Sequence, residues 1–250
     1  MMNNRLVLIT GATSGVGLAT ANLLAQHQFR VICCGRRKER LREIKNALGK
    51  QCHTLRFDVS DSRDVFKAID SLPGEFSKID VLINNAGNAH GLDSVESSSL
   101  DDWNAMIDSN IKGLMYVTKA IIGPMINRKS GHIINIGSIA GKEVYPKGSV
   151  YCATKFAVDA FTKGLRLDLN SHRIKVSAVH PGLVETEFSL VRFKGNRHKA
   201  KNVYYGMQPL IAQDIAQCIL FMVTQPSHVN VADMVVLPTD QASSIIVNRQ

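Results

Sequence analysis

Thr10-Gly11-Ala12-Thr13-Ser14-Gly15-Val16-Gly17 is the stretch from which the rest of the chain can be read. An apolar run over residues 5–10 leads into it, and residues 16–28 then carry helical spacing at Leu18, Ala21, Leu24 and Ala25. The glycines fall at 11, 15 and 17, a G-x-x-x-G-x-G spacing rather than G-x-G-x-x-G. Their physical use is the same. Glycines permit a tight strand-to-helix turn with close backbone approach, and the helix N-terminus that follows attracts a pyrophosphate. Thr10, Thr13 and Ser14 add hydroxyl groups at this turn.

Beyond the turn, strands and helices alternate. Residues 30–34 read as a second strand, and 38–48 as an amphipathic helix closed by Gly49. A third strand is expected at 53–57, a helix at 62–71, a fourth strand at 80–83 and a long helix at 100–127, bent near Gly123-Pro124. A fifth strand at 131–136, a helix at 150–171 and a sixth strand at 174–179 follow. Residues 185–206 are polar and basic and interrupt the alternation before a helix at 211–224 and a last apolar run at 234–237. This order implies βαβ units and the α/β class: a doubly wound parallel sheet with helices on both faces. Nothing in residues 1–250 reads as a linker or repeat, so one domain is expected, with 185–206 as a substrate-loop insertion.

The 250 residues include 30 Lys+Arg and 21 Asp+Glu, a formal charge of +9, with 45% hydrophobic and 20% charged residues. That composition excludes disordered, collagen-like and disulfide-scaffold classes. No apolar run approaches the roughly 20 residues that span a bilayer, and the opening Met1-Met2-Asn3-Asn4-Arg5 is too short before the first strand for a secretory leader. Five cysteines without a C-x-x-C pair argue against a disulfide or zinc, and no metal is expected. The expectation is a cytoplasmic protein without a membrane partner. Positive charge gathers at 36–42 and 192–201, a pattern open to nucleic acid, an anionic membrane, a phosphorylated ligand or plain solvation.

The second strand narrows that choice. An NAD site usually places Asp or Glu about twenty residues beyond the glycines, where it accepts from the ribose 2′-hydroxyl. Arg36 and Arg37 stand there instead, and two guanidiniums suit a 2′-phosphate. NADP is therefore the expected cofactor. Asp58-Val59 and Asn84-Asn85-Ala86-Gly87 lie at the carboxyl ends of the third and fourth strands, where ligands bind in open parallel sheets. Asp58 equally suits a helix N-cap, and Asn-Ala-Gly a tight turn.

Tyr151 and Lys155 are four residues apart on a helix and so share a face, with Ser138 just past the fifth strand. A free tyrosine hydroxyl titrates near 10, too high for an efficient proton shuttle at neutral pH; a neighbouring ammonium lowers it. With these residues in hand, the chain resembles the short-chain dehydrogenase/reductase family along essentially its whole length. Thr10–Gly17, Asp58, Asn84–Gly87, Asn110, Ser138, Tyr151-x-x-x-Lys155 and Pro181-Gly182 carry the resemblance. It implies a Rossmann sheet of about seven strands, with Tyr151 as general acid/base and Ser138 on the substrate oxygen. Lys155 would bind the nicotinamide ribose and lower the Tyr151 pKa, and Asn110 would anchor a water in the proton relay. Cofactor contacts would fall at Gly11, Thr13, Ser14, Gly15, Val16, Gly17, Asp58, Val59, Asn85, Ala86, Gly87, Tyr151, Lys155, Pro181, Gly182, Val184 and Thr186.

Less generic segments, residues 131–138, 181–189 and 191–195, are similar to the NADP-dependent 3-hydroxy acid dehydrogenases within that family. The likeness implies oxidation of serine, allo-threonine and related 3-hydroxy acids, or reduction of semialdehydes, and a homotetramer. His180 stands where that subgroup usually has Glu, and residues 142–148 are more charged than its usual Gly-rich equivalent. A hydroxy acid needs a cation for its carboxylate. Arg192, Lys194 and Arg249 are the candidates, with solvated or subunit-interface cations as the plainer reading. The alternatives are a carbonyl or 3-oxoacyl reductase with a bulkier substrate, and a non-catalytic nucleotide-sensing or nucleic-acid-binding protein on the same fold. The Ser138/Tyr151/Lys155 set argues against the last, so no nucleic-acid partner is expected.

Overall fold

Apolar runs too brief for helices become strands, and the amphipathic stretches between them become helices. In chain order these are β1 (Leu6–Ile9), α1 (Gly15–Gln26), β2 (Arg30–Gly35), α2 (Lys38–Leu48), β3 (Cys52–Arg56), α3 (Ser62–Asp70) and β4 (Val81–Asn84). There follow α4 (Leu100–Ile107), α5 (Leu114–Asn127), β5 (Gly131–Ile136), α6 (Ser149–Leu169), β6 (Ile174–Pro181), β7 (Val184–Glu185) and α7 (Glu187–Arg192). The chain closes with α8 (Arg197–Asn202), β8 (Leu210–Ile211), α9 (Ala212–Thr224) and β9 (Asp233–Val236). The computed structural model describes residues 4–250; Met1, Met2 and Asn3, part of the opening read above for a leader, lie outside them.

Seven strands form one parallel sheet in the order β3-β2-β1-β4-β5-β6-β9. Alternate side chains of its central strands face opposite layers. Val7, Ile9, Val31 and Cys33 meet Leu24, Leu41, Ile215 and Ile219 of α1, α2 and α9. Leu6, Leu8, Ile32 and Cys34 meet Val65, Val117, Ile121 and Leu165 of α3, α5 and α6. Both faces are therefore dry, which is why these strands read as continuous apolar runs. Each such buried side chain contributes about 1.5–3 kcal/mol by area. The strand order reverses between β1 and β4, and the crevice at their carboxyl ends is the natural ligand site of such a sheet.

One expectation needs correction. The helix expected over 100–127 is not continuous, although Pro124 lies inside the unbroken α5. The interruption is a π-helical turn over Asp108–Gly113. Tertiary contact puts it there: a Cβ on Gly113 would stand 2.8 Å from a Val59 methyl, and Asn110 turns its side chain inward. Residues 185–206, polar and basic in sequence, carry regular structure. They hold α7, α8 and the end of β7, which pairs in parallel with β8. No described helix is long and apolar enough to cross a membrane.

Candidate active site

The glycine turn is held against the turn after β4. Gly11 has φ +65°, and a Cβ there would stand 2.9 Å from Ala86 Cα. At Gly17 a Cβ would fall 2.5 Å from the Gly11 carbonyl oxygen, so α1 starts hard against the turn. The Thr10 hydroxyl accepts from the Asn85 and Ala86 N–H groups at 3.0 and 2.9 Å. The Asn85 amide donates to the Thr10 carbonyl at 2.9 Å. Thr10 and the Asn85 amide are thus spent on main chain. Beneath them, Asn84 donates to Asn135 at 2.9 Å and Asn135 to Thr162 at 2.8 Å, a buried amide relay across the ends of β4 and β5.

A cleft of about 680 Å³ runs along the carboxyl ends of the strands. Gly11, Thr13, Ser14, Gly15, Val16, Arg36 and Arg37 line one end, and Ser138, Tyr151 and Lys155 the other. Asp58, Val59, Asn85, Ala86 and Gly87 lie between, and Pro181, Gly182, Val184 and Thr186 form the facing wall. Of the expected cofactor residues only Gly17 is absent from the lining, buried under the turn. The volume falls in the range of about 300–1,000 Å³ typical of ligand sites. A cradle whose glycine Cβ positions are filled by backbone, leading to a helix N-terminus, fits a dinucleotide.

Arg36 and Arg37 stand at the mouth. Arg36 Nη1 lies 3.2 Å from Asp58 Oδ2, both groups largely exposed. Arg37 donates through Nε to the Thr13 hydroxyl at 3.0 Å and through Nη1 to Glu187 at 2.7 Å. Glu187, at the start of α7, was not foreseen; 150 residues separate it from Arg37, and only the fold joins them. Asp58 is not the N-cap of α3, a role taken by Asp61. Its partial burial raises the pKa, but hydrogen bonds from Ser60 and the Arg36 charge outweigh that and hold it below the usual carboxylate range.

At the other end, the Ser138 hydroxyl accepts from the Ala140 N–H at 3.1 Å, which seats the side chain at the turn after β5. Tyr151 is buried, with the Ser138 hydroxyl near enough to lower its pKa. Lys155 donates to the Ile136 carbonyl at 3.0 Å, its Nζ 5.9 Å from the centre of the Tyr151 ring. The titration differs from expectation. Burial, seconded by Tyr145, pushes the Tyr151 hydroxyl up, while Arg192 and the Ser138 hydrogen bond pull it down. Lys155 gives no comparable help, and its own pKa is lowered by burial to about 8. Asn110 donates to the Asn88 carbonyl at 2.8 Å and to Thr154 at 3.1 Å, and accepts from the Asn88 N–H at 2.8 Å. The π-helical turn thereby anchors the segment after Asn-Ala-Gly; such turns are frequent at functional sites.

Of the three candidate cations, Arg192 alone stands at the reacting end. Its guanidinium carbon lies 5.0 Å over the Tyr151 ring and 5.7 Å from the rings of Tyr145 and Phe188. Nη2 donates to the Tyr145 hydroxyl at 2.5 Å, and buried Nε has no hydrogen-bond partner. Behind Tyr151 a hollow of about 20 Å³, room for a single water, lies between His90, Trp103 and Arg192. Lys194 pairs with Asp102 at 2.8 Å, and Arg249 donates to the carbonyls of Val203 and Tyr205. Neither lines the cleft or the hollow that Arg192 borders. Cys152, beside Tyr151, is buried with its thiol pKa raised by burial, which disfavours the reactive thiolate.

Comparison with known proteins agrees with this geometry. A family model described as short chain dehydrogenase matches residues 5–196. An NADP-dependent 3-hydroxy acid dehydrogenase of Escherichia coli K12 is 42% identical over 98% of this chain and all of its own length. A serine 3-dehydrogenase of Rhizobium radiobacter is 42% identical over 94% of each chain. Among solved structures, the closed form of serine dehydrogenase complexed with NADP+ superposes with a TM-score of 0.94 and 42% identity, covering 98% of this chain and all of that one.

Proposed function

The chain belongs to the short-chain dehydrogenase/reductase family, and from that premise we propose that it interconverts a small 3-hydroxy acid and its carbonyl counterpart with NADP as cofactor. Substrates of the serine, allo-threonine or 3-hydroxypropionate kind fit best. The observation that carries this reading is the Arg192 guanidinium, stacked over the Tyr151 ring with a buried, unpartnered Nε–H. An unsatisfied charged donor is costly unless something meets it. A carboxylate placed beside the tyrosine that handles the hydroxyl would do so.

When bound, the nicotinamide supplies the hydride acceptor or donor. Arg36 and Arg37 would hold its 2′-phosphate, and the glycine turn with Thr13 and Ser14 its pyrophosphate. Asp58, Val59, Asn85–Gly87, Pro181, Gly182, Val184 and Thr186 would line its path. Ser138 donates to the substrate oxygen, and Tyr151 takes the hydroxyl proton in oxidation or returns it in reduction. Lys155, titrating near 8, is suited to relay that proton toward solvent. Asn110 fixes the segment that faces them. Residues 185–206 serve as the substrate loop, because α7 carries Glu187 on the cleft wall and Arg192 on the hollow beside Tyr151. Homotetramer assembly and a cytoplasmic location belong to the same reading, supported by the exposed Ile245 and Ile246 of the tail and by five free cysteines. A small-molecule cleft accounts for the informative part of the basic charge, so no nucleic acid is needed.

An NADP+-linked activity screen over serine, the threonine isomers, 3-hydroxypropionate and 3-hydroxyisobutyrate tests the assignment. Higher activity on thioesters than on free acids would favour a bulkier 3-oxoacyl substrate. Arg192→Met sharpens the test. It is expected to raise KM for a 3-hydroxy acid by about tenfold or more, the worth of one charge-assisted hydrogen bond, and to leave an uncharged analogue unaffected. Equal rises for both would remove the carboxylate role. Because Arg192 pulls the Tyr151 pKa down, its loss raises that pKa. The rising limb of the oxidation rate should therefore move to higher pH.

A further inference from the structure

Beneath Ser138 lies a group of charged side chains that the reaction above does not use. His180, the residue before Pro181-Gly182, is fully buried. Its Nδ1 lies 3.3 Å from the Ser138 carbonyl oxygen, and its Nε2 2.6 Å from Asp233 Oδ1 at the start of β9. Lys142, just past the turn that follows Ser138, reaches Asp233 at 2.7 Å and Asp159 at 2.8 Å. Asp159 also accepts from Lys163 at 2.7 Å. On α6, Asp159 lies one turn beyond Lys155, as Lys155 lies one turn beyond Tyr151. The group thus ties together the elements that carry Ser138, Tyr151, Lys155 and Pro181.

Both neighbours of the imidazole are acceptors. A neutral ring donates through one nitrogen only. The Nδ1 contact has hydrogen-bond geometry, so the neutral ring donates from Nδ1 to the Ser138 carbonyl at 3.3 Å, an oxygen that also accepts from the Gly141 N–H at 2.9 Å. Nε2 has no hydrogen-bond partner although Asp233 Oδ1 stands 2.6 Å away. A second proton goes onto Nε2 facing that carboxylate, and draws the ring toward Asp233 and away from the Ser138 carbonyl. The ring packs directly on Gly137, where a Cβ would fall 2.4 Å from Nδ1. Asp159, His180 and Asp233 could together hold a metal ion, their ligand atoms lying within 4.8 Å of one another. The Lys142 ammonium already bridges the two carboxylates and makes an added cation unnecessary.

We propose that His180 is a positioning residue. Oriented by Asp233 and the Lys142–Asp159 bridge, its ring sets where Ser138 sits relative to Tyr151, and the number of protons it carries changes that seat. The proposal rests on Ser138 acting at the substrate oxygen. Burial depresses the imidazole pKa, Asp233 and Asp159 oppose that, Lys142 adds to it, and the balance lies below the usual histidine value. The second proton therefore arrives on the acid side of neutrality.

The test combines steady-state kinetics against pH with NADPH affinity by fluorescence. His180→Gln is expected to lower kcat about tenfold, the scale of a small misplacement, with Kd for NADPH unchanged. Asp233→Asn removes a group that raises the imidazole pKa, so the acid limb of kcat should move to lower pH. Lys142→Met removes one that lowers it, so the limb should move to higher pH. Limbs that shift in the same direction, or stay fixed while only the melting temperature falls, overturn the proposal. If His180→Gln does not fold, the other two variants decide by their opposite signs. Wild-type turnover with unmoved limbs overturns this inference alone, whereas no wild-type turnover on any hydroxy acid or carbonyl overturns the parent reading with it.

Discussion

Tyr151→Phe should lower kcat by about 10²–10⁴-fold, the usual worth of a positioned general acid or base, while Kd for NADPH stays within about twofold. The substitution removes one oxygen from a buried ring that packs with Ala89, Met106, Ala140 and Cys152. The ring's contact with Phe188, 5.7 Å between centroids, survives. Single-turnover rates and fluorescence titration of NADPH check both halves. Retained turnover would show that the proton moves through another group. The environment makes the expected loss large. Tyr145, the other tyrosine beside Arg192, is itself pushed up by burial despite its bond to Arg192.

Arg36→Ala combined with Arg37→Ala should cut the preference for NADPH over NADH by about a hundredfold. Each hydrogen bond to a charged group is worth about 1.5–3 kcal/mol, and each guanidinium must first share or give up a carboxylate, Asp58 for Arg36 and Glu187 for Arg37. Those pairs are at least a third exposed on both sides, so the exchange costs little. Once both arginines are gone, the two carboxylates remain at the mouth and repel a 2′-phosphate, while tolerating a 2′-hydroxyl. The loss should fall on NADPH binding, with NADH changed far less. Titrating both cofactors at low and moderate salt measures it, and the wild-type preference should itself weaken as salt screens the mouth. An unchanged ratio would place 2′-phosphate recognition elsewhere.

Much of the architecture was legible before any coordinates, because it rests on local patterns. Strand runs of four to six apolar residues, helical spacing and a glycine turn after the first strand are read within windows of a few residues. The pairing of Tyr151 with Lys155 needs only the pitch of one helix, and Arg36-Arg37 only the distance from the glycines. The break in the long helix shows where such reading stops. Pro124 is the strongest local breaker, yet α5 continues through it and the π-helical turn falls at Asn110, for reasons after β4 and after β3.

The sequence by itself determined the order of elements and pointed to the residues proposed for the dinucleotide cradle, the NADP-type mouth and the reacting set. Only the tertiary structure decided which cation stands over Tyr151, that Arg37 meets Glu187, that burial rather than Lys155 dominates the Tyr151 titration, and that His180 packs beneath Ser138. The reason is physical. Propensity and periodicity act between residues that are neighbours in the chain, whereas desolvation and charge act between residues that are neighbours in space. In this protein the partners that meet around the cleft are separated by 42 residues for Ser138 and His180, and by 150 for Arg37 and Glu187.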